Sequence, residues 1–249
     1  MPRLIIILVI ILSCLLVYTM VNMAPKGYTV EAAFGNRGNR DTSQLPFKEG
    51  ERFTYQVKYK GLKIGKSILT FHGERDLEGK KAYYITFDTS TSAFMDNEEI
   101  FADKDTFLPL EVHRMVKKTL GFTDKIKERY DQENFRVDIT QKSKLRKKSH
   151  SIEKDAPIHN AILLTYYYRV RENFNKDEKA KITLPTVDFE VMYNGIETIE
   201  TPMGEQRAYA FTSEPPKFKF WLSADERKIP LKIDNPAVAG YSLIIKSID

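Results

Sequence analysis

The sequence predicts an all-β fold: mainly antiparallel strands in a curved sheet forming a half-barrel, barrel or sandwich, with one packed α-helix near 159–172 and an N-terminal hydrophobic helix. Three observations carry this. From residue 52 onward, short segments alternate apolar and polar side chains with the period of a half-buried strand. Turn residues punctuate them at short intervals. Aromatics make up 12% of the chain, with 13 Tyr and 15 Phe, and flat rings pack well across neighbouring strands.

Residues 4–24 (LIIILVIILSCLLVYTMVNMA) are apolar, interrupted by Ser13, Thr19 and Asn22. As a helix, a run of this length spans a bilayer core of about 30 Å. It reads in three ways: a long signal peptide cut near Ala32, an uncleaved anchor with Arg3 on the inner side, or a lipoprotein signal cut before Cys14. All three place the rest of the chain in the periplasm or otherwise outside the cytoplasm, and an anchor would tether it to the inner membrane. The predicted organisation is 1–32 signal peptide or membrane anchor, 33–45 flexible linker, and 46–249 a single β-rich extracytoplasmic domain. Cys14 is the one cysteine, so the domain has no disulfide and no cysteine nucleophile. A net charge of +5 permits contact with anionic lipid or glycan without demanding it. Export argues against a nucleic-acid partner.

The first strand is 52–60 (RFTYQVKYK), where Phe53, Tyr55, Val57 and Tyr59 share one face. Gly61 and Gly65 bracket a turn before 67–71, and Glu78-Gly79-Lys80 precedes 82–89. Strands are then predicted at 99–103, 111–117, 124–130, 135–140, 189–193, 197–200, 206–212, 217–222, 228–233 and 241–248, with turns at Asn194-Gly195 and Met203-Gly204. One segment departs from the alternation. Residues 159–170 (HNAILLTYYYRV) are broadly apolar, follow Asp155 and Pro157, and predict a helix of about three turns packed on the sheet.

The four histidines lack metal-ligand spacing, so no metal site and no cofactor are expected. No nucleophile elbow or phosphate loop appears, and no catalytic residue is assigned. Glu98 and Glu99 are adjacent and point to opposite faces of a strand, which prevents them from sharing a substrate. Lys142, Lys144, Arg146, Lys147 and Lys148 form the densest basic run. It could contact an anionic surface, or keep an exposed edge strand from aggregating. Tyr167 and Arg169 on the helix, and Trp221 and Arg227 in WLSADERKIP, are the candidate ligand contacts. Each has a structural alternative: Trp221 can anchor a core, and Arg169 can pair with a buried or cavity-facing carboxylate.

Three blocks resemble the bacterial domain-of-unknown-function 3108 family of exported proteins. The first is Pro46–Glu51 leading into Tyr55–Tyr59 and Gly61–Gly65. The second is the helix ending Tyr166-Tyr167-Tyr168-Arg169. The third runs from Trp221 to Pro230, preceded by Glu197-Thr198-Ile199 and Thr201–Gly204. Ahead of the helix, this chain reads Asp155-Ala156-Pro157 where the family often has an Asp-Pro-Leu-Ser-like lead. The resemblance spans roughly 46–249. It implies an envelope-associated all-β domain and supplies no catalytic residue. The leading functional reading is a non-enzymatic domain whose curved sheet, lidded by the helix, holds a lipid or other apolar or amphipathic envelope molecule. The alternatives are an interaction module docking on an envelope protein or glycan, and an envelope-polymer hydrolase.

Overall fold

A computed structural model describes residues 45–119, 121–235 and 240–249. The apolar run 4–24, Cys14 and nearly all of the linker lie outside the described residues. In chain order the strands are β1 (Arg52–Tyr59), β2 (Leu62–Leu77), β3 (Lys80–Thr91), β4 (Phe94–Ala102), β5 (Pro109–Lys118), β6 (Thr123–Asp131), β7 (Arg136–Lys142) and β8 (Lys147–Glu153). Helix α1 (Leu163–Arg169) follows, then β9 (Lys179–Thr183), β10 (Asp188–Thr201), β11 (Gly204–Glu214), β12 (Lys219–Ser223), β13 (Pro230–Asn235) and β14 (Tyr241–Ile248). Among the described residues no helix is long and apolar enough to cross a membrane.

All fourteen strands join one curved antiparallel sheet in the order β8-β7-β6-β5-β4-β3-β2-β1-β14-β13-β12-β11-β10-β9. It is neither a sandwich nor a closed barrel, because β8 and β9 remain as edges. Two meanders, β1–β8 and β9–β14, meet at the β1/β14 pair, where Arg52 and Asp249 exchange backbone hydrogen bonds of 3.1 and 2.9 Å. The β9 edge is met by the segment before the helix. Ile158 bridges Thr183, the His159 amide donates to the Thr183 carbonyl (2.7 Å), and Gln132 from the β6–β7 turn holds both backbone groups of Ile158.

Helix α1 has two turns rather than three, and all seven of its residues are buried. A helix this short is unstable alone, so burial against the sheet holds it. Its entry is fixed by Asn160, whose side-chain oxygen accepts the amides of Ile162 (2.8 Å) and Leu163 (3.3 Å). Tyr166 packs into a ring cluster with Phe47 (5.1 Å between centroids), Phe71 (5.8 Å) and Phe107 (6.3 Å, stacked). On the other side Tyr168 meets Phe211 (5.1 Å) and Phe220 (5.2 Å). The helix therefore plugs the sheet with side chains. The space beside it, between Tyr168, Phe174 and Phe211, amounts to about 10 Å³, room for a single water.

Candidate functional site

The three sequence blocks meet in one buried ion cluster. Glu51 lies at the head of β1, Arg169 closes α1, and Arg227 sits in the β12–β13 turn. Arg169 donates to both carboxylate oxygens of Glu51, at 2.6 and 3.0 Å, with side chains 0% and 2% exposed. Its Nε donates to the Arg227 carbonyl (3.0 Å) and Nη2 to the Pro46 carbonyl (3.2 Å). The guanidinium lies over the rings of Phe47 (4.7 Å) and Phe53 (5.2 Å). Arg227, half exposed, adds a bond of 3.1 Å to Glu51. Its loop is set by Ser223, which donates to Asp225 (2.6 Å) and accepts the Ile229 amide (2.7 Å). This planar, bidentate, fully enclosed arrangement suits an internal strut.

The other two candidate ligand contacts lie apart from that cluster. Tyr167 is buried against His159 and Tyr168, at centroid distances of 5.9 and 5.3 Å. Trp221, 3% exposed, donates its indole N–H to Glu197 and carries the ammonium groups of Lys219 and Lys232 at 4.4 and 4.5 Å from its ring. Arg169 and Arg227 meet at Glu51, while Tyr167 and Trp221 each pack elsewhere. His159, also buried, has its pKa pushed down to about 4 by burial and is neutral at pH 7.

A second charge cluster went unseen in the sequence. On β4, Asp96 and Glu98 share the inward face with the buried Ile100. Arg114 on β5 stands directly opposite Glu98, and Glu128 on β6 is opposite Val112. Arg114 grips Asp96 with bonds of 2.9 and 2.5 Å and lies 4.0 Å from Glu98. Asn160, besides fixing the helix entry, donates to Glu98 (3.2 Å). The Tyr130 hydroxyl donates to Glu128 (2.5 Å). Three carboxylates thus share one guanidinium. Burial, with the charges of Asp96 and Glu128, pushes Glu98 up to about 7 against the pull of Arg114 and Asn160. Burial also raises Glu128. Asp96, Glu98 and Arg114 keep 13, 15 and 26% of their side chains exposed, so solvent reaches this trough. Its signal was acids at the inward positions of β4, where alternation calls for apolar residues. Starting that strand at 99 concealed it.

The outward face of the same strands forms a groove of about 390 Å³. Glu99, His113, Met115, Lys125, Lys127 and Lys142 line it, with Thr140 beside them. Glu99 and Glu98 do point to opposite faces, as strand geometry requires. Within the groove Met115 pairs across strands with Lys125 and Lys125 with Lys142, and beside it Lys142 pairs with Lys147. Three lysines therefore stand side by side on β6, β7 and β8, and none of them forms an ion pair among the described residues. Lys127 differs, meeting Glu111 at 2.8 Å. Lys144, Arg146 and Lys148 are exposed on the same hairpin. No group of side chains that could hold a metal occurs among the described residues.

Comparison with known proteins places the chain. No curated protein matches it. Among solved structures it resembles a beta-barrel-like protein of domain of unknown function DUF1849 from Brucella abortus, at 10% identity and a TM-score of 0.47, covering 81% of this chain and 97% of that one. It also resembles a candidate exported protein with a YmcC-like fold from Bacteroides fragilis, at 12% identity and a TM-score of 0.28, covering 82% and 98%. The family model described as "Protein of unknown function (DUF3108)" matches residues 54–243, most of the chain, and the chain belongs to that family.

Proposed function

We propose that this chain is an extracytoplasmic binding module, not a catalyst, and that the outward groove over β4–β7 takes an anionic envelope molecule bearing phosphate or carboxylate groups. One observation carries the reading: Lys125, Lys142 and Lys147 stand directly opposite one another across successive strands, without acids to neutralise them. Like charges opposed on a sheet are destabilising, and an anion bridging them relieves the repulsion. Met115 adds an apolar contribution to the groove, which suits an amphipathic ligand with an anionic head. The seat expected beneath the helix is filled by side chains, which moves the lipid reading to this outer surface. The apolar run 4–24 supports action outside the cytoplasm.

The test is calorimetric titration of the full chain, held in nanodiscs of zwitterionic lipid, with glycerol phosphate and with galacturonate oligomers. The wild type binds at least one of them in a salt-dependent manner, and joint Lys125→Glu and Lys142→Glu substitution weakens binding by about tenfold or more. Unchanged affinity in the double variant, or no binding of either ligand by the wild type, overturns the assignment.

A further inference from the structure

In an up-and-down meander every second hairpin turn falls on the same rim of the sheet. The turns β1–β2, β3–β4, β5–β6 and β7–β8 therefore share one rim, and β2–β3, β4–β5 and β6–β7 share the other. The two rims differ in chemistry. The first carries Lys60, Lys63, Lys117, Lys118 and the basic β7–β8 hairpin. The one acid within two residues of these four turns is Asp124, which pairs with Lys118 at 2.7 Å. The second meander's turns on the same rim add Asp188, Glu214 and Asp234, each paired with a lysine, so the basic stretch is the β1–β8 part. The second rim carries a net acidic excess, with Asp76, Glu78, Asp103, Asp105, Asp131 and Glu133 against Lys80, Lys81, Lys104 and Arg136.

Exposed apolar side chains follow the same division. Six large ones are exposed among the described residues, and four of them lie at the basic rim. Leu145, at the β7–β8 tip, is 86% exposed between Lys144 and Arg146, and Leu62 is 73% exposed between Gly61 and Lys63. Phe122 and Met95 are 50% and 47% exposed at the β5–β6 and β3–β4 turns. Lysines guarding the free β8 edge account for the charge on that one strand. They do not account for a leucine at its tip, or for apolar residues at three further turns spread along the same side.

We propose that this basic rim docks onto a bilayer carrying anionic headgroups, with Leu145, Phe122 and Leu62 entering the headgroup layer and the surrounding lysines meeting lipid phosphates. Apolar tips ringed by basic side chains match both layers of such a surface. The acid-rich rim is repelled by the same surface, which fixes orientation as well as attachment. The docking is independent of the groove, because Leu145, Phe122 and Leu62 do not line it.

The experiment uses the full chain with Cys14→Ser and one environment-sensitive fluorophore, attached either at Leu145→Cys on the basic rim or at Glu133→Cys on the acidic rim. Each protein is mixed with phosphatidylcholine vesicles, with or without phosphatidylglycerol, containing brominated lipid as a quencher. Quenching is expected at position 145 only when phosphatidylglycerol is present, falling about fivefold or more in high salt or with Lys144→Glu and Arg146→Glu together, while the groove lysines stay intact. Position 133 stays unquenched throughout. Equal quenching at both positions would show contact imposed by the N-terminal segment alone, and would overturn the proposal. So would a label at 145 that remains in water on both vesicle types.

Discussion

The sheet holds two buried charge clusters, and they are built on opposite plans. Around Glu51, one buried carboxylate receives Arg169 in a bidentate grip and a third bond from Arg227. Around Arg114, a single guanidinium serves Asp96, Glu98 and Glu128, and solvent still reaches the group. In the first cluster every strong donor has an acceptor, so it acts as a fixed joint between β1, α1 and the β12–β13 turn. In the second, negative charge exceeds positive, so one acid keeps its proton near neutrality. The difference teaches that burial of charge alone does not define a responsive site. The balance of partners separates a strut from a titrating group.

Breaking the strut gives the largest effect. Glu51→Ala leaves Arg169 buried without its counter-ion and is expected to cost about 3–5 kcal/mol, read by urea unfolding. A loss under about 1 kcal/mol would remove the distinction between the two clusters.

The second cluster predicts a gain. Glu98 has a folded pKa of about 7 against an ordinary value of 4.5. An acid raised in this way holds its proton longer in the folded state than in the unfolded chain. Its stabilising contribution is complete below about pH 4.5, drains away as pH rises toward 7, and is absent above that. Glu98→Gln removes the charge that must be buried at high pH. It is expected to unfold about 2–3 kcal/mol later than wild type at pH 8 and to match it near pH 4. The same difference at both pH values would show that Glu98 is no titrating site.

The smallest effect tests the link between trough and helix. Asn160→Ala removes both the acceptor at the helix entry and a donor to Glu98. It should cost about 1 kcal/mol and move the pH dependence of Glu98 upward, because a bond that favoured the ionised form is gone. Thermal unfolding across a pH series would reveal it, and a loss of stability without that upward movement would uncouple helix from trough.

Much of the fold was legible because strands that bury one face must alternate. β1 shows this, with Phe53, Tyr55 and Val57 all buried. β8 was missed because its residues Lys147–Glu153 are nearly all exposed, so nothing enforces alternation there. β9, at Lys179–Thr183, is too short to establish a period. Asn194-Gly195 reads as a hairpin turn but is a bulge inside one long strand, β10. The register shifts there, and Gly195 takes a φ of 111° that a side chain would resist. The helix was found but overextended, because its apolar lead at 159–162 packs as irregular chain. The sites were less legible. Arg169 asked for a carboxylate, yet Glu51 lies 118 residues away, and nothing local distinguishes it from other acids. The lysine run 142–148 was visible, while its neighbour Lys125 arrives from another strand through pairing alone.

One consequence follows from the place of β14 in the sheet. Among the described residues it is the sole strand that pairs both with β1 and with the β9–β13 meander. Synthesis delivers the eight strands of the first meander, then the helix, then five strands that cannot yet pair with β1. The single sheet exists only once that final strip is in place, a seam across nearly the whole described chain. Such a non-local closure is slow. Until it completes, β1 exposes an unpaired edge rich in Phe and Tyr. A chaperone that covers this edge until β14 docks would favour yield without changing the stability of the finished sheet.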